Sequence, residues 1–219
     1  MFTPSLKELI SARWITNDSA EYLVQQLRDD TANLLIIGIG SSGRMILTRA
    51  LVEAAFPVET RALVLQSSSE KVAGLFKNPD VLLHTVPDDY HDSILDGQYN
   101  LAILYDLNVL TLPLWERLVD DRHCSVIAHV SPYSELMAEV LPQRLFATMG
   151  PGCVDPGHVH QIRQRIRSRP FIVVSMQNPM QTGHYGVREI GYVQENGEVG
   201  DVHHIAWGGV DGDASSFGD

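Results

Sequence analysis

The chain has 219 residues, of which 44% are hydrophobic and 20% are charged, and these are ordinary values for a globular protein that can bury a core. Its formal net charge of -11 argues against a general nucleic-acid binder, because holding a phosphate backbone needs a basic surface. No apolar run approaches the roughly 20 residues of a membrane span, so we expect no membrane partner.

The expected cellular location follows from the chain start and the cysteines. The first four residues lack the basic and then apolar order of a signal peptide. Cys124 and Cys153 are the only cysteines, which is too few for a disulfide scaffold. We therefore expect a cytoplasmic protein.

The first part of the chain predicts two helices, a strand, a turn and a third helix. The two helices cover residues 5–14 and 22–28. The continuous apolar run 34–37 predicts a strand that is buried on both faces of a parallel sheet. A glycine turn over residues 38–43 follows, and apolar residues at the spacing of one helix face then predict a helix over residues 44–56.

The rest of the chain predicts more strands that alternate with helices. The predicted strands cover residues 61–66, 81–86, 101–107, 125–130 and 171–176, and a helix over residues 112–119 follows the third of these. Such alternation implies βαβ units in a parallel sheet. Asn196-Gly197 lies between the apolar segments 190–193 and 199–205 and predicts a hairpin.

These elements predict an α/β fold, a Rossmann-like parallel sheet flanked by helices with a small C-terminal β-hairpin appendage. The predicted organisation is N-terminal helices over residues 1–30, the α/β domain over 31–180, the hairpin appendage over 181–207 and a disordered tail over 208–219.

The glycine turn carries the main functional signal. It reads Gly38-Ile39-Gly40-Ser41-Ser42-Gly43 and fits G-x-G-x-x-G. A strand that enters a helix through glycines presents backbone N–H groups and the positive end of the helix dipole to one point, which favours a phosphate. Ligands of open parallel sheets bind at the carboxyl ends of the strands, so residues that end other strands join the predicted site. The predicted ligand-binding residues are Gly38, Gly40, Ser41, Ser42, Gly43, Gln66, Ser67 and Asp106. A glycine turn that binds nothing is the alternative.

One interpretation of this turn is an NAD(P)-dependent oxidoreductase. In dinucleotide enzymes the second strand usually ends in Asp or Glu, which binds the ribose hydroxyls. Here the strand ends in Gln66 and serines follow it, which weakens the case for NAD and keeps NADP as an alternative without an arginine beside the serines.

The first half of the chain also resembles the nucleotide-binding half of the tubulin and FtsZ family, over residues 34–136. The segments that carry this resemblance are Ile37-Gly38-Ile39-Gly40-Ser41-Ser42-Gly43, Thr48-Arg49-Ala50, Pro57-Val58-Glu59 and Val130-Ser131-Pro132-Tyr133-Ser134-Glu135. The family's glycine-rich phosphate loop should follow the strand that ends near Asp106, but residues 106–111 contain no glycine. The resemblance therefore implies a degenerate relative that binds a guanine nucleotide without hydrolysing it and acts in regulation or assembly, with a protein partner or a second copy of itself.

A third resemblance is to the sugar-isomerase (SIS) phosphosugar domain, whose opening turn Gly38, Gly40 and Ser42 match. It implies a phosphorylated small molecule as the ligand. The second serine-rich loop of that family, expected near residues 106–111, is missing here.

Two further clusters have a simple structural explanation. Cys153, Asp155, His158 and His160 are suitable zinc donors but lack the spacing of a structural zinc site, so we assign no metal. The arginines at 163, 165, 167 and 169 would point to different sides of a helix, which suits solvent better than one phosphate pocket. No catalytic residue is assigned.

Overall fold

A computed structural model describes residues 4–28, 32–39, 42–66, 75–77, 79–83, 99–105, 107, 114–115, 118–119, 124–130, 171–177 and 179–193. Its helices are α1 (Leu6–Ser11), α2 (Asn17–Arg28), α3 (Arg44–Ala55) and α4 (Pro179–Thr182). Its strands are β1 (Asn33–Ile37), β2 (Ala62–Gln66), β3 (Asp80–Leu83), β4 (Leu101–Leu104), β5 (Ser125–Val130), β6 (Phe171–Met176) and β7 (Val187–Val193). Residues 114–115 and 118–119 are also helical.

The strands form one seven-stranded sheet in the order β3-β2-β4-β5-β1-β6-β7. All neighbouring pairs from β3 to β6 are parallel, and β7 runs antiparallel to β6. Strand β1 therefore lies between β5 and β6, and its carboxyl end is flanked by parallel strands on both sides. The predicted α/β fold with a mostly parallel sheet is confirmed.

Helices cover both faces of the sheet, which explains why its strands are continuously apolar. Leu34 and Ile36 of β1 belong to the core that packs under α1, α2 and α3. Leu35 and Ile37 point to the other face and pack with the helical residues around Trp115. Every residue of β1 is buried, as expected for a strand with helices on both sides.

The predicted strands agree with the structure to within a few residues, and the differences occur at their ends. Strand β3 starts one residue earlier than predicted and has four residues, and β4 ends at Leu104 rather than at residue 107. Strand β7 is longer than its predicted segment and pairs with β6 in the main sheet. The second arm of the predicted hairpin and the tail lie outside the described residues, so the predicted domain boundaries stay a prediction. Among the described residues, no helix is both long and apolar enough to cross a bilayer.

Candidate functional site

The glycine turn connects the carboxyl end of β1 to the start of α3. The N–H of Gly38 donates to the carbonyl of Val130 at 3.1 Å, which continues the β1–β5 ladder one residue beyond the strand. The N–H of Ser42 donates to the carbonyl of Ile39 at 3.0 Å and closes the turn. Helix α3 then begins behind Gly43. The chain passes from strand to helix within six residues, at the end of an interior strand of the sheet.

Gly38 is a glycine because side chains approach its backbone closely. A Cβ at this position would collide with the Ser42 side chain and would lie 2.9 Å from the Cβ of Met176 on β6. Real Cβ atoms do not approach each other this closely in a packed interior. The close approach of β1, β6 and the turn therefore depends on the missing side chain.

Gly43 is a glycine for two separate reasons. Its φ of 85° lies in the left-handed region, which glycine adopts without the penalty that other residues incur. A Cβ here would also lie 2.6 Å from the Trp14 indole. Gly43 is the N-cap of α3 and has no side chain to cap the first N–H groups of the helix. A helix start of this kind favours an anion.

Ser42 adds an unsatisfied polar group to the turn. Its side chain is fully buried, and among the described residues its Oγ atom has no hydrogen-bond partner. A buried hydroxyl without a partner costs about 1–3 kcal/mol. The Oγ atom occupies the space that a Cβ on Gly38 would take. A ligand in the turn would give this hydroxyl a partner.

Trp14 reaches the turn through the end of α1. The N–H of Arg13 donates to the carbonyl of Ile10, and the N–H of Trp14 donates to the carbonyl of Leu9 at 2.9 Å. This pair of bonds is a Schellman motif, with Arg13 in the left-handed conformation at a φ of 60°. The motif turns the chain sharply after α1 and directs the indole of Trp14 toward Gly43.

A second aromatic ring packs on Trp14 from the connection between β6 and β7. The rings of Trp14 and Tyr185 are 5.3 Å apart and nearly parallel, at 8°. The Trp14 carbonyl accepts a hydrogen bond of 2.7 Å from the N–H of Val187. Gly186 permits this contact, because a Cβ there would lie 2.7 Å from the same carbonyl. The chain around Trp14 thus joins α1, the glycine turn and β7.

A buried histidine lies beneath the first turns of α3. The ring of His129 on β5 is 2.6 Å from the hydroxyl of Thr48 and makes an edge contact with Tyr105, whose ring centre is 4.9 Å away. Burial, with a smaller contribution from the nearby Arg44 guanidinium, lowers the pKa of His129 to about 3. The imidazole is therefore neutral at physiological pH. The positive charge near this imidazole belongs to Arg44.

The structure brings together three of the predicted ligand-binding residues, Gly38, Ser42 and Gly43. Gln66 ends β2, and β4 and β5 lie between β2 and β1. At about 4.8 Å per strand this places Gln66 roughly 14 Å across the sheet from the end of β1. Its role stays a prediction.

Gly40, Ser41, Ser67 and Asp106 lie outside the described residues, and so do the cysteine–histidine segment at 153–160 and the arginines at 163–169. Within the part of the chain that the structure describes, no group of three or more His, Cys, Asp or Glu side chains is arranged to hold a metal ion.

No protein-family model matches this sequence, and no curated protein matches it. Solved structures with a similar fold include the VirB11 ATPase of the Brucella suis type IV secretion system in complex with sulphate, with a TM-score of 0.58 and 16% identity over 93% of this chain and 56% of that protein. The Legionella pneumophila ATPase DotB gives a TM-score of 0.59 and 12% identity over 89% of this chain and 52% of its own. The pilus retraction motor PilT with bound ADP gives a TM-score of 0.56 and 12% identity over 90% of this chain and 53% of its own. The chain spans about half the length of each of these proteins.

These similarities correct the family resemblances seen in the sequence. The fold matches secretion and pilus ATPases, so the assignment to the tubulin and FtsZ family is wrong. The matches that suggested it were short and tolerate many unrelated sequences. The dinucleotide-binding and SIS interpretations of the turn are not supported either. In the usual dinucleotide fold the first strand lies beside the second, whereas here β1 lies between β5 and β6.

The same glycines fit a second pattern that the sequence analysis missed. Gly38 and Gly43 have the spacing of the P-loop sequence G-x-x-x-x-G-K-[ST], in which backbone N–H groups surround phosphates, the lysine contacts them and the hydroxyl binds Mg²⁺. Here Arg44 replaces the lysine and Met45 replaces the hydroxyl residue. A thioether is a poor ligand for Mg²⁺, which prefers oxygen. The residue at this position therefore does not fit a magnesium ion.

Proposed function

We propose that this protein binds the phosphate groups of a nucleotide at the glycine turn, residues 38–43, and at the start of α3. The observation that carries the proposal is the buried Ser42 hydroxyl, which lacks a partner among the described residues and belongs to a turn that leads to a helix start without a side-chain cap. A phosphate oxygen would accept a hydrogen bond from this hydroxyl and from the N–H groups of the first helical turn.

Charge supports the same ligand. The protein is strongly acidic, so an anion needs a local positive charge to approach it. Arg44 is the first residue of α3, and its guanidinium lies close enough to lower the pKa of His129. Because that imidazole stays neutral, it does not repel the guanidinium. Arginine is also well suited to bind phosphate with two N–H groups at once.

The similar solved structures agree with this ligand class. VirB11 was solved with sulphate and PilT with ADP, an anion and a nucleotide. The protein partner or second copy, like the cytoplasmic location, is part of the proposal and is not needed for the phosphate site. We assign no hydrolytic step, because Met45 does not supply the hydroxyl that would hold Mg²⁺.

The proposal is tested by calorimetric titration with ATP, once with Mg²⁺ and once with EDTA. We expect binding in both conditions with affinities within about twofold, because Met45 gives the metal no ligand. Replacing Arg44 with alanine removes a charge-assisted hydrogen bond worth about 1.5–3 kcal/mol and should weaken binding by roughly 10- to 100-fold. Arg44→Lys keeps the charge but not the two-pronged contact and should lose less affinity than Arg44→Ala, and Met45→Thr should make binding stronger with Mg²⁺ than with EDTA.

Arg28→Ala is the matched control. It removes the same charge, but Arg28 donates to the carbonyl of Ala54 at the opposite end of α3, about 15 Å from the turn. Its nucleotide affinity should equal that of the parent. Equal losses in the two alanine variants would mean that only net charge matters, and no binding by the parent would refute the phosphate site.

A further inference from the structure

Among the described residues near the glycine turn, Tyr185 is the most exposed aromatic residue, with 45% of its surface accessible to solvent. One face of the ring lies against Trp14, and the indole of Trp14 lies against Gly43. We propose that Tyr185, supported from behind by Trp14, is the surface on which the base of a bound nucleotide stacks. This inference rests on the proposed phosphate site at the turn.

The geometry of the two rings leaves a surface of the right shape. Because the rings of Trp14 and Tyr185 are nearly parallel, the second face of Tyr185 is turned away from its partner. A flat aromatic face next to solvent is the feature that proteins use to hold nucleobases, since every base has a π-face. Burying that face under a base would also remove apolar surface from water.

Backbone hydrogen bonds and close contacts hold the support behind Tyr185 in place. The backbone of Trp14 is held by the hydrogen bonds to Leu9 and Val187, and the space around it is fixed by two glycines, Gly43 and Gly186. A preorganised surface loses little conformational entropy when a ligand binds. The aromatic pair therefore meets the physical requirement for a binding surface without any rearrangement of the chain.

The position of the rings decides which part of the ligand they meet. The Trp14 indole contacts Gly43 through one edge and Tyr185 through one face, so a nucleotide with its phosphate in the turn would carry its base toward the tyrosine. The strength of stacking depends on the size of the base's π-face and not on its hydrogen-bonding edge. The expected ligand is thus a purine nucleotide, with ATP and GTP bound alike and CTP and UTP bound more weakly.

The experiment compares ATP with inorganic triphosphate, which carries the same phosphates and no base. Both are titrated into the full chain and into Tyr185→Ala, Tyr185→Phe and Met180→Ala. We expect Tyr185→Ala to weaken ATP binding by roughly 5- to 100-fold, the range measured for base–aromatic stacking, and to leave triphosphate binding unchanged. Tyr185→Phe keeps the ring and should keep the ATP affinity. Met180 is 83% exposed in the same connection between β6 and β7, and its variant controls for a general change of that segment.

The outcomes separate this inference from the phosphate site. If ATP and triphosphate bind the parent equally well and Tyr185→Ala changes neither, the stacking surface is refuted and the phosphate site stands. If Tyr185→Ala weakens both ligands equally, Tyr185 maintains the turn rather than binding a base, and the inference also fails. If neither ligand binds the parent, both proposals are wrong.

Discussion

The two edges of the sheet use their polar residues in different ways. At the amino edge, the hydroxyl of Tyr99 donates to Asp80 at 2.8 Å, and the guanidinium of Arg61 lies 5.4 Å from the centre of the Tyr99 ring. At the carboxyl edge, Arg44 stands beside a neutral histidine, and the Ser42 hydroxyl has no partner among the described residues. An acid, a base and a phenol contact one another at the first edge, whereas at the second edge the described residues leave the Ser42 hydroxyl without a partner.

The largest expected effect on stability comes from replacing Gly43 at the carboxyl edge. Gly43→Ala combines a left-handed backbone with a collision against Trp14, and we expect it to lower the free energy of unfolding by roughly 2–5 kcal/mol. Gly183→Ala is the matched control, because Gly183 has a φ of 70° with no atom within 4 Å of its missing Cβ. It should cost only about 1 kcal/mol. Urea unfolding followed by circular dichroism measures both, and equal costs would show that the Trp14 contact adds nothing.

The sequence predicted the sheet well because its signal is local. The apolar run of β1 and the helical spacing of α3 are properties of neighbouring residues, and the structure has both elements within a residue of their predicted bounds. The position of β1 between β5 and β6 is different, since it depends on pairings with residues about 90 and 140 positions away. Nothing in the local pattern encodes that order.

The sequence shows only part of the candidate site for the same reason. Gly38, Ser42 and Gly43 belong to one short segment, and their spacing was visible. Trp14, Tyr185 and His129 reach this segment from α1, from the connection before β7 and from β5. Arg44 and Met45 stand in the sequence where the P-loop pattern has lysine and a hydroxyl residue. The spacing of Gly38 and Gly43 is the signal that identifies these two positions.

The stability of the folded protein should decrease in acid because of His129 at the carboxyl edge. The pKa of His129 is lowered in the folded state from its usual 6.5 to about 3, so the unfolded chain takes up a proton before the folded one does. The stability that this histidine contributes is complete above pH 6.5 and is lost as the pH falls toward 3. Between pH 7 and pH 5 the loss should be about 2 kcal/mol.

The variant that isolates this effect is His129→Gln, which keeps a polar group within reach of Thr48. Its free energy of unfolding should be lower than that of the parent at pH 7 and should change less between pH 7 and pH 5. Urea titrations at several pH values measure the difference. The same pH dependence in parent and variant would mean that His129 is not the group that titrates.

The smallest expected effect is a loss of stability at high pH that comes from Tyr99 at the amino edge. Burial raises the pKa of Tyr99 to about 12, and the hydrogen bond to Asp80 and its negative charge act in the same direction. The folded state therefore keeps the phenol proton at a pH where the unfolded chain has lost it. The stability from this group is complete below pH 10 and is lost as the pH rises through 12. Because the cluster lies near solvent, the loss between pH 9 and pH 11 should be at most about 1 kcal/mol.

Tyr99→Phe should remove this loss and Asp80→Asn should reduce it. Unfolding followed by circular dichroism measures both, while ATP binding at neutral pH should stay the same in both variants. A change in ATP affinity in either variant would contradict the separation of the two edges, because it would connect the amino-edge cluster to the glycine turn.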